Sequence, residues 1–388
     1  MPSRLPGSLV LSVINILKGF NSMAEQLFFT AATGFEAARQ LSLLPEGHRA
    51  NALHGHSFTA NIRVAPQAFR AEYRGGEIGS LRDRLVHAIE PLDYAFLNQI
   101  LKNVADEDIA YWLRDRLALP GIDSIGIRSA RDAGVDLTPD GRTRLWRKYQ
   151  LETAHQLPNV PPGHKCGRMH GHGFGVVLHV SRPALEGEGD AGIGYETLDR
   201  IWAPIREQLN FSCLNDFPGL SNPTSEVLSS WIWQRVQSQL PELARVTVFE
   251  TASSGAHFDG THYRIWKDMT FDSAARLKYA GAGDPRRRIH GHTYTLRLHL
   301  HAELDRHMGW VVDFGEVKEL FAPVFKQIDH HPLYEISGMD DTDVASIAHY
   351  IRQQSRSVLP QLERIDVYEA EGCGAILAWG EHIPAVLV

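Results

Sequence analysis

The tripeptide His-Gly-His occurs three times in this chain of 388 residues, and its spacing constrains the fold more than any other feature. The first histidines of the three copies are His54, His170 and His290, separated by 116 (170 − 54) and 120 (290 − 170) residues. Near-equal intervals of this length are too long for the units of a solenoid and match small domains. The spacing therefore predicts three copies of one domain-sized fold.

Other patterns recur at the same phase as the His-Gly-His motif. FEAAR, LETAH and FDSAAR precede it, and acidic or amide residues follow its first histidine by 39, 40 and 39 residues, at Asp93, Asn210 and Asp329. Alternating segments such as HGHGFGVVLHV, followed by helical periodicity such as NPTSEVLSSWIWQRVQSQL, predict the order ββααββ. RVTVFET and THYRIW predict the closing strand pair of the middle copy. The predicted repeats cover residues 23–140, 141–266 and 267–388.

Composition excludes several classes of protein. The chain is 43% hydrophobic and 22% charged with a net charge of −7, which is typical of a globular protein and argues against a nucleic-acid partner. No apolar run reaches the roughly 20 residues of a membrane-spanning helix, so no membrane partner is expected. Three cysteines predict free thiols and a cytoplasmic protein. The N-terminal SLVLSVINILKGF could be the core of a secretory signal, but an overlong gene start before Met23 is the favoured interpretation.

The His-Gly-His motif has a specific chemical interpretation. On a strand, His170 and His172 point to the same face, and His155 on the preceding strand is suitably spaced to be their hairpin neighbour. Three histidines with an open fourth position are typical of catalytic zinc. The alternative is a set of satisfied polar residues on a half-buried strand. Cys166 would be a fourth zinc ligand, or a base and nucleophile beside a cation that lowers the thiol pKa.

The middle repeat resembles a known family along most of its length. LETAHQLPNVPPGHKCGRMHGHGF, LNDFPGLSNPTSEVL and VFET resemble the 6-pyruvoyl-tetrahydropterin synthase family, and the spacing in CGRMHGH resembles its carboxy-forming branch, the 6-carboxytetrahydropterin synthases of queuosine biosynthesis. The likeness is strong over residues 145–268 and weaker in the flanking repeats. It implies the tunnelling fold, an α+β fold in which three ββααββ units close a twelve-stranded antiparallel barrel with helices outside. Three repeats in one chain would then form a pseudo-trimer, and two chains would stack as a homo-oligomer.

The resemblance also implies roles for individual residues. His155, His170 and His172 would bind Zn²⁺. Cys166 would be the general acid/base that moves protons on the side chain of a small-molecule substrate, 7,8-dihydroneopterin triphosphate. Glu250, in the VFET strand, would anchor the pterin ring, since its paired N–H donors suit a charged acceptor.

The repeats differ at the positions that this family uses for catalysis. The family has an Asp-His pair where the middle repeat has Asn210 and Phe211, whereas the third repeat keeps Asp329 and His330. The third repeat has arginines at the positions of the zinc histidine and the cysteine, interpreted as Arg276 and Arg286. Each of these two repeats lacks what the other keeps.

These complementary losses predict a composite site. The middle repeat would supply zinc and Cys166, and the third repeat of the same or a partner chain would supply Asp329 and His330. Either Glu250 or Glu369 would hold the pterin, because the sequence does not show which one faces the pocket. The first repeat is predicted to be a scaffold, since its four corresponding positions are Arg39, Ala50, the pair Asp93-Tyr94, and Ser129. Arg39 and Arg276 would contact either substrate phosphates or a carboxylate. Pairing with a carboxylate, which fixes a loop, is the more ordinary use of an arginine.

Three functions are compatible with this pattern. The favoured one is a carbon-carbon lyase that makes 6-carboxy-5,6,7,8-tetrahydropterin. The second is an enzyme with a different product, which forms 6-pyruvoyl-tetrahydropterin or cleaves dihydroneopterin. The third is a non-catalytic zinc-binding or pterin-binding scaffold, which predicts that Asp329 and His330 lie far from Cys166.

Overall fold

The structure is a computed structural model that describes residues 25–44, 46–67, 69–183 and 194–380. The apolar N-terminal segment SLVLSVINILKGF lies outside the described residues. Among the residues that are described, no helix is both long and apolar enough to span a membrane.

Each repeat contributes four barrel strands and two α-helices in the predicted order ββααββ. Repeat 1 contains β1 (Gln26–Arg39), β2 (His54–Val64), α1 (Glu77–Ile89), α2 (Asp106–Leu117), β3 (Ile122–Ala130) and β4 (Ala133–Leu137). Repeat 2 contains β5 (Thr143–His155), β6 (His170–Arg182), α3 (Tyr195–Leu209), α4 (Ser225–Val236), β7 (Leu243–Thr251) and β8 (Ser254–Phe258). Repeat 3 contains β9 (Tyr263–Ala275), β10 (His290–His301), α5 (Phe314–Ile328), α6 (Val344–Ser355), β11 (Leu362–Ala370) and β12 (Cys373–Ala378).

The twelve strands form one closed antiparallel barrel. Consecutive strands pair in chain order, and β12 closes the sheet on β1 through the pairs from Gln26↔Ala378 to Thr30↔Gly374. Closure removes the exposed strand edges that an open sheet would leave. A short strand, Ala95–Phe96, lies parallel to β1 outside this barrel. The predicted pseudo-trimeric barrel is thus confirmed.

Strand alternation separates the helix-covered outer face of the barrel from its interior. In repeat 2, Phe174, Val176 and Leu178 of β6 belong to the same buried cluster as Trp202 of α3 and Trp231 of α4. The intervening residues of β6 point to the other side of the sheet, into the barrel interior. The outer face therefore supplies the main apolar core, and the interior combines polar side chains with a small apolar cluster that includes Val177 and Trp266.

The closing strand of repeat 2 differs from the prediction. The partner of β7 is β8, not THYRIW, because the chain reverses within two residues after Thr251. Tyr263 already begins β9, the first strand of repeat 3. The short segment SGAHF was missed because its glycine and alanine give no strong strand pattern. Gly255 is required there, since a Cβ would collide with the carbonyl oxygen of Val248 and with the ring of Trp266.

Cross-strand pairing also identifies the equivalent residues of the three repeats. His155 pairs with His170, and Arg39 pairs with His54 in the same way. In repeat 3 the residue opposite the first motif histidine is Ala275, so the assignment of Arg276 to this position is wrong. The hairpin register decides equivalence, and a one-residue slip moves a side chain to the other face of the sheet.

Candidate metal and catalytic site

Three histidines converge at one end of the barrel in repeat 2. His155 ends β5 and lies directly opposite His170, which begins β6, and His172 follows on the same face. Their ring centroids are 4.5 to 5.2 Å apart. One potential ligand nitrogen of each histidine lies within 4.8 Å of the others. This geometry allows all three imidazoles to bind one ion.

The hydrogen bonds of these rings orient them for a metal. The Nδ1 of His155 lies 3.0 Å from the carbonyl oxygen of Pro223, and that of His170 lies 2.8 Å from the carbonyl of Arg168. Both Nδ1 atoms therefore carry the hydrogen and leave Nε2 with a lone pair. The Nε2 atoms of His155 and His172 are buried, and neither has a hydrogen-bond partner among the described residues.

The protonation state of His155 fits the same interpretation. Burial lowers the pKa of His155 to about 4, which the hydrogen bond to Pro223 offsets in part. The ring is therefore neutral at pH 7, as a metal ligand must be. Three converging histidines, of which His155 is neutral and two have buried Nε2 atoms without a described partner, are suited to Zn²⁺.

Cys166 lies on a tight turn between β5 and β6. Its backbone N–H donates to Nδ1 of His164 (3.2 Å), and its carbonyl accepts from the N–H of Leu157 (2.8 Å), which ties the turn to the end of β5. Burial, followed by the carboxylate of Glu250, raises the pKa of Cys166, and Lys165 partly opposes this. In the protein without a metal, the thiol is thus held in its neutral form.

Glu250, one of the two glutamates predicted to hold the pterin, lies next to the three histidines of its own repeat. Its Oε1 atom lies 3.6 Å from Nε2 of His172. Burial, and next the charge of Asp313, raise the pKa of Glu250 to about 7. Burial likewise raises the pKa of its neighbour Glu226 to about 7, although Glu226 accepts hydrogen bonds from the N–H of Val311 (2.9 Å) and the hydroxyl of Ser225 (3.1 Å).

Repeat 3 reaches this site through a segment that the sequence did not indicate. The backbone carbonyls of His307, Met308 and Gly309 accept hydrogen bonds from Asn159, Asn222 and Thr224 of repeat 2. At the end of this segment, Asp313 caps α5 and its Oδ2 atom lies 3.7 Å from Nε2 of His164. An N-cap aspartate before an apolar helix indicates a helix start and nothing about a neighbouring repeat, so the sequence held no signal for this contact.

Asp329 and His330 lie elsewhere in the chain. Oδ1 of Asp329 accepts the N–H of Asp272 (3.1 Å), and the N–H of His330 donates to the carbonyl of Asp272 (2.7 Å). Nδ1 of His330 lies 3.0 Å from Oδ1 of Asp329, and the His330 side chain is 75% exposed. The hydrogen bonds and ion pairs described for both residues are within repeat 3, and none reaches Cys166.

The same backbone arrangement occurs three times. Tyr94, Phe211 and His330 all have φ between 52° and 57°. In each repeat the preceding side chain accepts an N–H from the first strand, at Asp93, Asn210 and Asp329. Asn210 therefore keeps the structural hydrogen bond and loses the charge.

Comparison with known proteins agrees with this geometry. The family model described as 6-pyruvoyl tetrahydropterin synthase matches residues 29–130, 144–261 and 264–378, which together make up most of the chain. The chain belongs to this family. It contains three copies of the domain that the family model describes.

Individual relatives of this pterin synthase family match one repeat's length of the chain. A 6-carboxy-5,6,7,8-tetrahydropterin synthase from a Synechocystis species is 32% identical in an alignment of 122 residues that covers 29% of this chain and 91% of that protein. A dihydroneopterin monophosphate aldolase from Pyrococcus furiosus is 31% identical over 119 residues, 30% of this chain and 97% of that protein. The solved 6-pyruvoyl tetrahydropterin synthase of Caenorhabditis elegans has 22% identity and a TM-score of 0.27, covering 30% of this chain and 95% of that chain.

Repeat 1 of this family member has Arg39 at the position that corresponds to His155. Nη1 of Arg39 donates to the carbonyl of Val104 (2.9 Å) and to Asp106 (2.7 Å), and Nη2 lies 3.2 Å from Nε2 of His56. Asp106 also accepts hydrogen bonds from Ser129 (2.6 Å) and from a tyrosine hydroxyl of repeat 2 (2.7 Å). The guanidinium thus bridges groups that correspond to those around His155, and its partner is a carboxylate, the more ordinary of the two uses predicted for this arginine.

Repeat 3 keeps the glutamate and two of the three histidines, but Ala275 stands at the position that corresponds to His155. Glu369 lines a cavity of about 90 Å³ together with His290, His292 and Arg286. The guanidinium of Arg286 extends toward Asp284 and Tyr73, so it occupies the turn where repeat 2 has its cysteine. The structure therefore places Glu250 beside the three-histidine group and Glu369 in the corresponding cavity of repeat 3.

Proposed function

We propose that the protein is a zinc-dependent carbon-carbon lyase that converts 7,8-dihydroneopterin triphosphate to 6-carboxy-5,6,7,8-tetrahydropterin. The observation that carries this proposal is the convergence of three histidines beside a cysteine and a protonatable glutamate. The name of the Synechocystis relative supports the choice of product. A role in queuosine biosynthesis and a cytoplasmic location belong to the same proposal.

The residues of repeat 2 would divide the chemistry among them. His155, His170 and His172 would hold Zn²⁺, which supplies a Lewis acid to the oxygens of the substrate side chain. Cys166, held by its turn, would give and take the proton at the reacting carbon. Glu250 would accept the paired N–H groups of the pterin ring, and those donors would favour its ionised form.

The Asp-His pair would come from a second copy of the chain. Asp329 and His330 lie at the same end of the barrel as the histidines, and the side chain of His330 faces solvent. Large apolar side chains are exposed at this end, next to each His-Gly-His motif and at the positions equivalent to His330: Leu53, Met169, Ile289, Tyr94 and Phe211. An apolar rim of this kind is typical of a buried interface. Two barrels stacked through it would form the functional homodimer.

A second candidate reaction has support from another relative. The Pyrococcus furiosus protein is named as an aldolase that acts on dihydroneopterin monophosphate. The same metal, thiol and pterin anchor would serve bond cleavage without formation of a carboxylate. Product analysis by mass distinguishes the two reactions.

The test is turnover of 7,8-dihydroneopterin triphosphate by the zinc-loaded protein, beside the variants Cys166→Ala and His330→Ala. Each variant alone should lose product formation while it keeps its fold and zinc content. Unfolding and refolding the two variants together forms mixed dimers, in which one site has both an intact cysteine and an intact histidine. About a quarter of the wild-type activity should then return, because half of the dimers are mixed and each has one complete site.

The outcomes of this mixing experiment separate the possibilities. No recovery in the mixture, with both single variants inactive, would place the dyad in the same chain. Full activity of His330→Ala would remove the dyad from the mechanism. No turnover by the zinc-loaded wild type would leave a binding scaffold.

A further inference from the structure

The turn that carries Cys166 is held at both backbone groups of the cysteine. The carbonyl of Cys166 accepts from the N–H of Leu157 (2.8 Å), and the N–H of Cys166 donates to Nδ1 of His164 (3.2 Å). His164 is thus the N-cap of the short 3₁₀ turn Lys165–Gly167. One of the two attachments of the cysteine therefore depends on the orientation of an imidazole ring.

This hydrogen bond determines which nitrogen of His164 carries the hydrogen. A backbone N–H can only donate, so Nδ1 has the lone pair and the ring hydrogen is on Nε2. Nε2 of His164 lies 3.7 Å from Oδ2 of Asp313, which belongs to repeat 3. At this length the contact is electrostatic and not a direct hydrogen bond. A carboxylate that faces Nε2 favours the hydrogen at that nitrogen, and it thereby keeps Nδ1 free to accept.

Asp313 is itself held in place. Its Oδ1 atom accepts the N–H groups of Gly315 (2.8 Å) and Glu316 (3.0 Å) at the start of α5, which leaves Oδ2 to face repeat 2. Two residues earlier, the N–H of Val311 donates to the buried Glu226 of repeat 2 (2.9 Å). The carboxylate therefore faces His164 from a fixed position.

The junction between repeats 1 and 2 has the same arrangement. Nδ1 of His48 accepts the N–H of Ala50 (3.2 Å). Nε2 of His48 lies 3.1 Å from Oε1 of Glu196, which belongs to repeat 2. A histidine thus caps this turn as well, and a carboxylate of the following repeat faces its second nitrogen.

The junction between repeats 3 and 1 has an equivalent contact with other side chains. Oδ1 of Asp284 accepts the N–H of Arg286 (2.9 Å), and Oδ2 of Asp284 accepts the hydroxyl of Tyr73 of repeat 1. The three capping residues all precede the first histidine of their motif by six residues (54 − 48, 170 − 164, 290 − 284). Each repeat therefore fixes this turn through its neighbour, but only in repeat 2 is the residue that is held a cysteine.

We propose that His164 and Asp313 are positioning residues for Cys166, and that repeat 3 fixes the thiol in the site of repeat 2 by setting the tautomer of His164. The effect on turnover rests on the proposed function, whereas the effect on the turn does not. A group that transfers a proton must lie within hydrogen-bond reach of its target, and a misplacement of about 1 Å can lower the rate about 100-fold. Repeat 3 thereby takes part in the site of its own chain, independently of Asp329 and His330.

Turnover by the zinc-loaded protein is the first test, with zinc content measured for each variant. His164→Ala should lower kcat about 10- to 100-fold and change KM less than about twofold, because the groups that bind the substrate remain. His164→Asn should recover most of kcat, since an amide oxygen can cap the turn as Asp284 does in repeat 3. The matched control is His48→Ala, which removes the same two contacts beside Ala50 and should leave kcat unchanged. Equal losses in His164→Ala and His48→Ala would overturn the positioning role.

A double-variant cycle tests whether Asp313 acts through His164. Asp313→Asn keeps a residue that caps α5 but turns an N–H group toward Nε2, and it should lower kcat about 2- to 10-fold, a coupling usual for residues in contact. In the His164→Asn background the same substitution should have no further effect, because an asparagine cap has no tautomer to set. After burial, the charge of Asp313 is the next cause that raises the pKa of Glu250. Equal losses in both backgrounds would therefore show a direct action on the site and refute the route through His164.

Alkylation of the zinc-free protein tests the turn without turnover. The rate at which iodoacetamide modifies Cys166 at fixed pH, measured by peptide mass relative to the half-buried Cys213, should rise at least about threefold in His164→Ala. It should stay at the wild-type value in His48→Ala. An unchanged rate in His164→Ala would overturn the proposal. A raised rate together with no turnover by the wild type would support the positioning contact and reject the proposed function.

Discussion

Replacing Arg39 by methionine tests whether the buried ion pair between Arg39 and Asp106 stabilises repeat 1. Arg39 is 5% exposed and Asp106 is 2% exposed, so the substitution leaves a carboxylate buried without its cation. Removal of one partner from a buried pair costs about 3–5 kcal/mol. The lower end is expected here, because Asp106 retains hydrogen bonds from two hydroxyl groups.

The assay is thermal unfolding of the zinc-loaded protein. A loss of about 3–5 kcal/mol corresponds to a midpoint lower by roughly 6–10 °C, at about 2 °C per kcal/mol for a large domain. Adding Asp106→Asn to the variant should restore at least half of the loss, since the buried charge is then removed. The matched control is Arg142→Met, which breaks an exposed pair with Asp140 and should change stability by less than about 0.5 kcal/mol.

Two results would refute this reasoning. A cost of Arg39→Met below about 1 kcal/mol would show that the pair does not stabilise repeat 1. A double variant as unstable as the single one would show that the cost comes from lost packing and not from the carboxylate. Turnover should be unchanged in either variant, because the proposed zinc site is in repeat 2.

Three further predictions follow from individual contacts. Metal analysis should find one zinc ion per chain in the wild type and in His54→Ala, and none in His170→Ala; zinc retained by His170→Ala would contradict the assigned ligand set. Burial raises the pKa of Glu226 to about 7, so the folded protein binds its proton more tightly than the unfolded chain, and this contribution to stability is lost as pH rises from about 4.5 through 7. Glu226→Gln should flatten that decline in urea unfolding, and an unchanged pH slope would exclude Glu226 as its source. Gly255→Ala should cost about 1–3 kcal/mol from overpacking, whereas Gly281→Ala, whose Cβ would meet nothing within 4 Å, should be neutral; equal unfolding midpoints would disprove the close approach at Gly255.

The repeats and the three-histidine group could be predicted because their signals are local or periodic. Strand alternation places His170 and His172 on one face wherever the strand lies, and a hairpin of suitable length brings His155 opposite them. The same periodicity indicated the order ββααββ in all three repeats. A domain-sized interval between equivalent motifs then implied three units of one fold.

The sequence-based assignment was wrong where similar residues suggested one alignment of the repeats and strand pairing gave another. FDSAAR ends in an arginine, as FEAAR does, which suggested that Arg276 corresponds to Arg39. In the hairpins of repeats 2 and 3, the two residues that face each other are equally far apart in the sequence. His155 faces His170 (170 − 155 = 15), and Ala275 faces His290 (290 − 275 = 15). Two similar sequences can be aligned one residue out of step and still look alike. The pairing of two strands cannot move by one residue, because each such shift exchanges the two faces of the strand.

The sequence by itself determined the repeated strands and helices, the three-histidine group and the differences among the repeats. Only the tertiary structure decided which distant groups share one environment. It brought Asp313 of repeat 3 to His164 of repeat 2 and kept His330 at an exposed rim. The physical reason is that barrel closure joins strands far apart in the chain, and no local pattern encodes which side chains then meet.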